Sequence, residues 1–219
     1  MIGMKKTLLS IAFCALSIAG QPASKKLAPN SGTDAKADLT ISYSISITSK
    51  RGNTGIAETY NGGIETLFAG HHEARLRLVS LMRIHSVFIV TDKGQLKNVT
   101  LIKESGSNKH RLLLTPAQWR LYNKKYDGSA CRLTTDTTLV LKHLCKKAIV
   151  SLKDGRQMTA WYTPAIQRPI CSYLEPAFSA IPGLVLKYED TYKKKTITYT
   201  ATSISEHPIS PDILTVPAD

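Results

Sequence analysis

Leu39-Thr40-Ile41-Ser42-Tyr43-Ser44-Ile45-Ser46-Ile47-Thr48 alternates without a break. Leu39, Ile41, Tyr43, Ile45 and Ile47 share one parity, and the intervening Thr and Ser residues share the other. Side chains of a strand point alternately to opposite faces, so this stretch reads as a half-buried antiparallel strand with one wet face. The same pattern recurs outward along the chain. Glu73 to Val79 sets Ala74, Leu76 and Leu78 against Arg75, Arg77 and Val79, and Thr196 to Ser203 sets Ile197, Tyr199 and Ala201 against Thr196, Thr198 and Thr200.

Between these fall further short segments bounded by turn residues. Ile56 to Tyr60 and Ile64 to Phe68 flank Asn61-Gly62-Gly63, a hairpin signal. Ile84 to Thr91 is apolar enough for a central strand, and Asp92-Lys93-Gly94 turns it into Leu96 to Lys103. Arg111 to Leu114, Thr138 to His143, Ala148 to Lys153, Gln157 to Tyr162 and Leu184 to Glu189 complete the set. Many short strands at regular spacing predict a mainly β fold, an open antiparallel sheet or barrel. One helix interrupts it. Thr115 is a good N-cap and Pro116 a good first residue, and Trp119, Tyr122 and Tyr126 then recur at helical spacing up to Asp127-Gly128. Such a stripe predicts a helix over 116–126 with its aromatic face on the sheet.

The ends of the chain set its compartment. Lys5 and Lys6 precede an apolar run from Leu8 to Leu16, and Ser17 and Ala19 suit a cleavage site. Residues 1–19 therefore read as a secretory signal, too short to span a membrane. Phe13 before Cys14 does not fit a lipoprotein signal. Residues 20–37, with Pro22, Pro29 and Gly32, read as a flexible linker. The domain then occupies 38–204, and the proline-bearing 205–219 an extended tail. Without the signal the formal charge is about +11. An exported basic chain excludes nucleic acid as the expected partner and favours contact with anionic membrane or envelope surfaces. Cys131, Cys145 and Cys171 remain, enough for one bridge and one thiol left over. Cys145–Cys171 and Cys131–Cys145 both fit.

No catalytic set is legible. His71, His72 and Glu73 are adjacent, and neighbours on a strand face opposite ways. His143 and Cys145 share a face but lack a further ligand pair. The chain holds no Gly-rich phosphate loop, no His-Glu-x-x-His and no Gly-x-Ser-x-Gly. The expectation is a protein that is not an enzyme and carries no cofactor or metal. Its clearest binding candidates are Trp119, Tyr122, Trp161, Tyr162 and Leu184, large apolar or amphipathic groups beside turns.

From Cys145 onward the chain resembles the GLPGLI family, exported bacterial proteins of unassigned function. The segments that carry the resemblance are Cys145-Lys146-Lys147-Ala148, then Trp161-Tyr162-Thr163-Pro164-Ala165-Ile166, then Ile181-Pro182-Gly183-Leu184-Val185-Leu186. Two positions depart from the pattern. Ala180-Ile181 stands before Pro182-Gly183 where the family has Gly-Leu, and Lys142 stands where it has glycine. The resemblance covers roughly 38–203 and makes Cys145, Thr163, Pro164, Pro182 and Gly183 its structural motif. It implies an unclosed half-barrel like those of lipoprotein carriers, with one or two short helices on the concave side of a curved sheet. It also implies a Gram-negative periplasmic or outer-membrane-associated carrier of an apolar or lipid-like ligand. The alternative is an interaction module of the cell envelope that meets a protein partner through its sheet edges.

Overall fold

The computed structural model describes residues 38–49, 59–167, 170–192 and 195–218. The expected signal and linker, and most of the Ile56–Tyr60 segment, lie outside the described residues. The strands are β1 (Leu39–Ser49), β2 (Ile64–Ala69), β3 (Glu73–Val79), β4 (Arg83–Asp92), β5 (Gln95–Ser105), β6 (Asn108–Leu114), β7 (Ala130–Val140), β8 (His143–Ser151), β9 (Gln157–Thr163), β10 (Leu184–Tyr192) and β11 (Lys195–Ser205). They form one 11-stranded antiparallel sheet in the order β6-β5-β4-β3-β2-β1-β11-β10-β9-β8-β7. β1, the most regular alternation in the sequence, sits at the centre. β6 and β7 follow one another in the chain yet stand at opposite edges, so the sheet is not closed into a barrel.

The register assigns the two faces. Leu39, Ile41 and Tyr43 pair with Ala69, Leu67 and Glu65, which pair in turn with Ala74, Leu76 and Leu78. The row continues through Ile89 and Val87 to Val99 and Leu101. This inner face holds the core: Leu39, Ile41, Tyr43, Leu67, Ala74, Ile89 and Val99 are each at most 1% exposed. Each such aliphatic side chain contributes about 1.5–3 kcal/mol on burial. The cover over this face is short. It consists of α1 (Pro116–Tyr122), a 3-10 turn at Lys124–Tyr126, α2 (Cys171–Leu174) and a second 3-10 turn at Pro176–Phe178. α1 lies on β5 and β6, and α2 on β3 and β4.

α1 begins in a capping box. Thr115 Oγ1 accepts from the Gln118 backbone N–H at 3.3 Å, and Gln118 Oε1 accepts from the Thr115 N–H at 2.9 Å. It ends earlier than its aromatic spacing predicts, because the Asn123 amide donates to the Trp119 carbonyl at 3.0 Å and caps the helix at Tyr122. The stripe is correspondingly reduced. Trp119 is buried, while Tyr122 is 52% exposed and lies stacked on Trp119 with ring centroids 5.5 Å apart.

The Asn61-Gly62-Gly63 turn leads into β2, which pairs with β1. Residues 59–60 form a 3-10 turn, and the rest of the expected Ile56–Tyr60 strand lies outside the described residues. The tail after β11 is held on the outer face. Ile209 N–H donates to Asp38 Oδ2 at 2.8 Å, Arg75 Nη1 to the Ile213 carbonyl at 3.2 Å, and Arg111 Nη1 to the Pro217 carbonyl at 3.4 Å. Arg75 also lies 4.6 Å over the Phe88 ring, and the short α3 (Pro211–Leu214) rests on β3.

Two segments of the motif meet here. Leu184 at the start of β10 pairs with Thr163 at the end of β9. Gly183 has φ +155°, and a Cβ there would run into the Thr163 carbonyl and approach Tyr162 Cδ2 to 2.9 Å. Gly62 also has positive φ, +78°, but opens onto free space. Gly183→Ala is therefore expected to cost about 3 kcal/mol or more, because backbone has to shift, and Gly62→Ala only about 1–2 kcal/mol. Urea denaturation of the two variants measures the difference, and equal losses would contradict the close approach at Thr163.

Candidate functional site

Four strands at the centre of the sheet bring polar groups into the inner face. Tyr43 of β1 and Glu65 of β2 are cross-strand partners, and so are Tyr188 of β10 and Tyr199 of β11. The strand alternation turns Glu65 inward to 6% exposure and Ile64 outward to 54%. Glu65 Oε1 accepts from the Tyr188 hydroxyl at 3.3 Å, and the Tyr43 hydroxyl donates to the Val185 carbonyl at 2.8 Å. Tyr188 and Tyr199 stack at 4.3 Å, and Phe178 of the cover meets Tyr188 edge-on at 4.9 Å. Glu175, between α2 and the second 3-10 turn, brings a second carboxyl from the cover side. One oxygen of Asp190, further along β10, is buried without a hydrogen-bond partner.

Burial sets the protonation of this cluster. It pushes the Glu65 carboxyl up to about 7 although the Tyr188 hydroxyl holds it down, and pushes Glu175 up to about 8 with help from the Glu65 charge. The Tyr43, Tyr188 and Tyr199 phenols are raised for the same reason and stay neutral. Near neutral pH Glu175 is thus mostly a carboxylic acid O–H donor, while Glu65 is divided between acid and carboxylate, next to tyrosine hydroxyls.

Clefts open around the cover. One, about 310 Å3, is lined by Cys171, Ser172, Glu175 and Phe178 of the cover and by Gly183, Leu184 and Val185 at the start of β10. A second, about 410 Å3, runs beside α1 along Trp119, Asn123, Tyr126, Ser172, Tyr173 and Pro176. A third, about 150 Å3, lies between Leu76, Tyr126, Met158, Glu175, Phe178 and Tyr188. Glu175 and Phe178 border the first and third, and Ser172 and Ser179 the first and second.

The binding candidates from the sequence are scattered over this arrangement. Leu184 lines the first cleft and Trp119 the second, where its indole N–H donates to the Tyr173 carbonyl at 2.9 Å. Tyr122 is on the surface, Tyr162 is packed in the core, and Trp161 is half-buried with the Lys147 ammonium 5.7 Å from its ring. Pro164 and Pro182 are exposed, one on each side of the crossing between β9 and β10. Neither bridge that the sequence allows, Cys145–Cys171 or Cys131–Cys145, is present. All three described cysteines are thiols, and the Cys145 sulfur instead meets the His143 carbonyl at 3.5 Å within its own strand. His71 and His72 lie in the bend before β3 and pack edge-on at 4.6 Å. Among the described residues no group of three or more His, Cys, Asp or Glu side chains is placed to hold a metal ion. No helix among them is long and apolar enough to cross a membrane.

No protein-family model matches the chain, and no curated protein matches it in sequence. Distant likenesses exist among solved structures. One is PNGF-II, at 13% identity and a TM-score of 0.45 over 80% of this chain and 29% of that one. Another is the MucA/MucB complex of Pseudomonas aeruginosa, at 14% identity and 0.40 over 84% of this chain and 57% of the matched one. A third is a beta-barrel-like protein of the domain of unknown function DUF1849 from Brucella abortus, at 7% identity and 0.30 over 77% and 97%. The chain thus spans well under two thirds of the first two.

The acids that sequence reasoning missed have a readable origin in one case. In Ile64-Glu65-Thr66-Leu67-Phe68-Ala69 both parities carry apolar residues, so alternation alone does not say which face goes in. Pairing with Tyr43 decides it. Glu175 has no such signal, since it belongs to a crossing whose course only tertiary packing defines. The raised carboxyls have a measurable consequence. Their folded values lie above those of the unfolded chain, so the folded state binds the extra protons and stability falls as pH rises from about 5 to about 8. The slope approaches about 1.4 kcal/mol per pH unit for each group that titrates. Glu65→Gln, which keeps an acceptor for Tyr188, is expected to match the wild type at pH 5 and exceed it at pH 8 in urea denaturation. A wild type equally stable at both values would contradict the buried carboxyl.

Proposed function

We propose that the chain is an exported cell-envelope protein of the GLPGLI type that binds or carries an apolar or lipid-like ligand and performs no chemistry on it. The observation that carries this reading is the space left between the inner face of the sheet and its short cover. Clefts of about 310, 410 and 150 Å3 share walls there. They are lined by Trp119, Phe178, Leu184 and Val185, with a few polar groups converging at Glu175, Ser172 and Ser179. That division suits an acyl or ring body in apolar surroundings and a small polar end at the acid. Neutral carboxyls favour a hydroxyl, an amide or a protonated acid over a strongly anionic head.

The second reading, an interaction module, is favoured by the sheet edges. β6 and β7 each present an unpaired side, and β6 carries Leu112 and Leu113 exposed. Lysine, histidine and arginine on β6 blunt that edge against indiscriminate pairing.

Ser179 is exposed and borders the two larger clefts, so Ser179→Trp fills them without disturbing the core. Delipidated wild type is expected to take up a fluorescent fatty acid, and the variant to lose at least tenfold in affinity while unfolding at the same urea concentration. Uptake by neither protein, or equal uptake by both, overturns the carrier reading.

A further inference from the structure

The hairpin joining β7 to β8 has an unusual tip. Val140 pairs with His143, which leaves Leu141 and Lys142 as a two-residue turn. Both have positive φ, +48° and +66°. Turns of this kind are ordinarily filled by glycine, asparagine or aspartate, so bulky residues here need a reason beyond turning the chain. The two faces of the hairpin differ at its tip, although farther along β8 the Leu144 parity enters the core at Ala148 and Val150. Val140 and Cys145 are buried in the core. Leu139 and Leu144 are cross-strand partners on the opposite face and stand 70% and 59% exposed, with Leu141 at the tip. The next pair on that same face is Thr137 and Lys146, and both Lys142 and Lys146 are exposed.

An exposed leucine cluster bordered by lysines is a poor water-facing surface and a good interfacial one. Leucines enter the acyl boundary of a bilayer, lysine stems run along it, and the ammonium groups meet anionic headgroups. The exported chain as a whole adds the attraction of a formal charge of about +11. The position fits as well. The tip lies at the end of the sheet where β9 stops at Thr163 and β10 starts at Leu184, which is where the 310 Å3 cleft is lined by Gly183, Leu184 and Val185.

We propose that the β7–β8 tip docks this protein on an anionic lipid bilayer, with Leu139, Leu141 and Leu144 inserted at the headgroup boundary and Lys142 and Lys146 meeting lipid phosphates. Docking does not require that the clefts hold a ligand, so the loss of fatty-acid uptake leaves it standing.

The test is co-sedimentation of the exported chain with vesicles of phosphatidylcholine alone or mixed with phosphatidylglycerol. Binding is expected to the mixed vesicles, to weaken with salt, and to be lost with phosphatidylcholine alone. Leu139→Ser with Leu144→Ser should weaken it about tenfold or more, and Lys142→Glu with Lys146→Glu at least roughly fivefold per lysine. Leu112→Ser on β6 should leave it unchanged. Leu141→Trp should shift its fluorescence to the blue on adding mixed vesicles, which reads insertion directly. Absence of binding to mixed vesicles overturns the proposal. So does binding that survives the leucine substitutions, which would mean adsorption by charge alone. A dimer in solution that those substitutions dissolve would show that a second copy, and not a bilayer, covers the face.

Discussion

The indole of Trp119 donates to the Tyr173 carbonyl, and that bond ties together two pieces of chain that are far apart in sequence. α1 belongs to the segment that links the edge strands β6 and β7 and rests on β5 and β6, and α2 belongs to the crossing between β9 and β10. Because β6 and β7 do not pair, the apolar inner face needs a cover, and these two pieces supply it. The Tyr173 hydroxyl reaches the Gly94 carbonyl at 2.9 Å, which pins the same segment to the β4–β5 turn. The cover is thus fixed at a few points and is made of very short helices. Elements of seven and four residues cannot fill the width of such a sheet, and the clefts follow from that shortfall.

The polar cluster under the cover is tolerated because burial shifts its acids toward the uncharged form. An isolated carboxylate in apolar surroundings costs several kcal/mol, and protonation removes most of that penalty. Glu65 has the Tyr188 hydroxyl as a partner, while Glu175 stands at the wall shared by two clefts. A buried acid is a less stable choice than an aliphatic residue at the same place. Its presence in the apolar row is what distinguishes this inner face from ordinary core, and it gives the clefts a polar end.

The strands were legible where alternation was unambiguous. β1 could be assigned a face from the sequence because apolar and polar residues there keep strict parity, and β3 and β11 because they nearly do, with Val79 and Ile204 as the exceptions. β2 could not, because Ile64, Thr66 and Phe68 compete with Glu65, Leu67 and Ala69. The helix start at Thr115-Pro116 was readable from capping chemistry, whereas its end depended on where the Asn123 amide turned. The tail with Pro208, Pro211 and Pro217 reads as extended, and its backbone is tied to Asp38, Arg75 and Arg111, residues remote in sequence. Of the binding candidates, Trp119 and Leu184 line the clefts described above. Size and amphipathic character identify a side chain that fits a cavity wall, and they do not say whether it ends in core, cleft or solvent.

From sequence alone came the β-rich class, the turn positions and the N-terminus of α1, whereas the need for glycine at 183 comes from the close approach of the Thr163 carbonyl. The first three depend on local rules: side-chain parity, capping, and the positive φ that glycine tolerates. The tertiary structure alone decided that β1 is central and the sheet open, that Cys145 and Cys171 remain thiols, and that Glu65, Glu175 and Tyr188 converge. The physical reason is separation along the chain. Convergence is set by strand order and by how a short cover docks on a wide sheet. Neither quantity is written in the periodicity of any single segment.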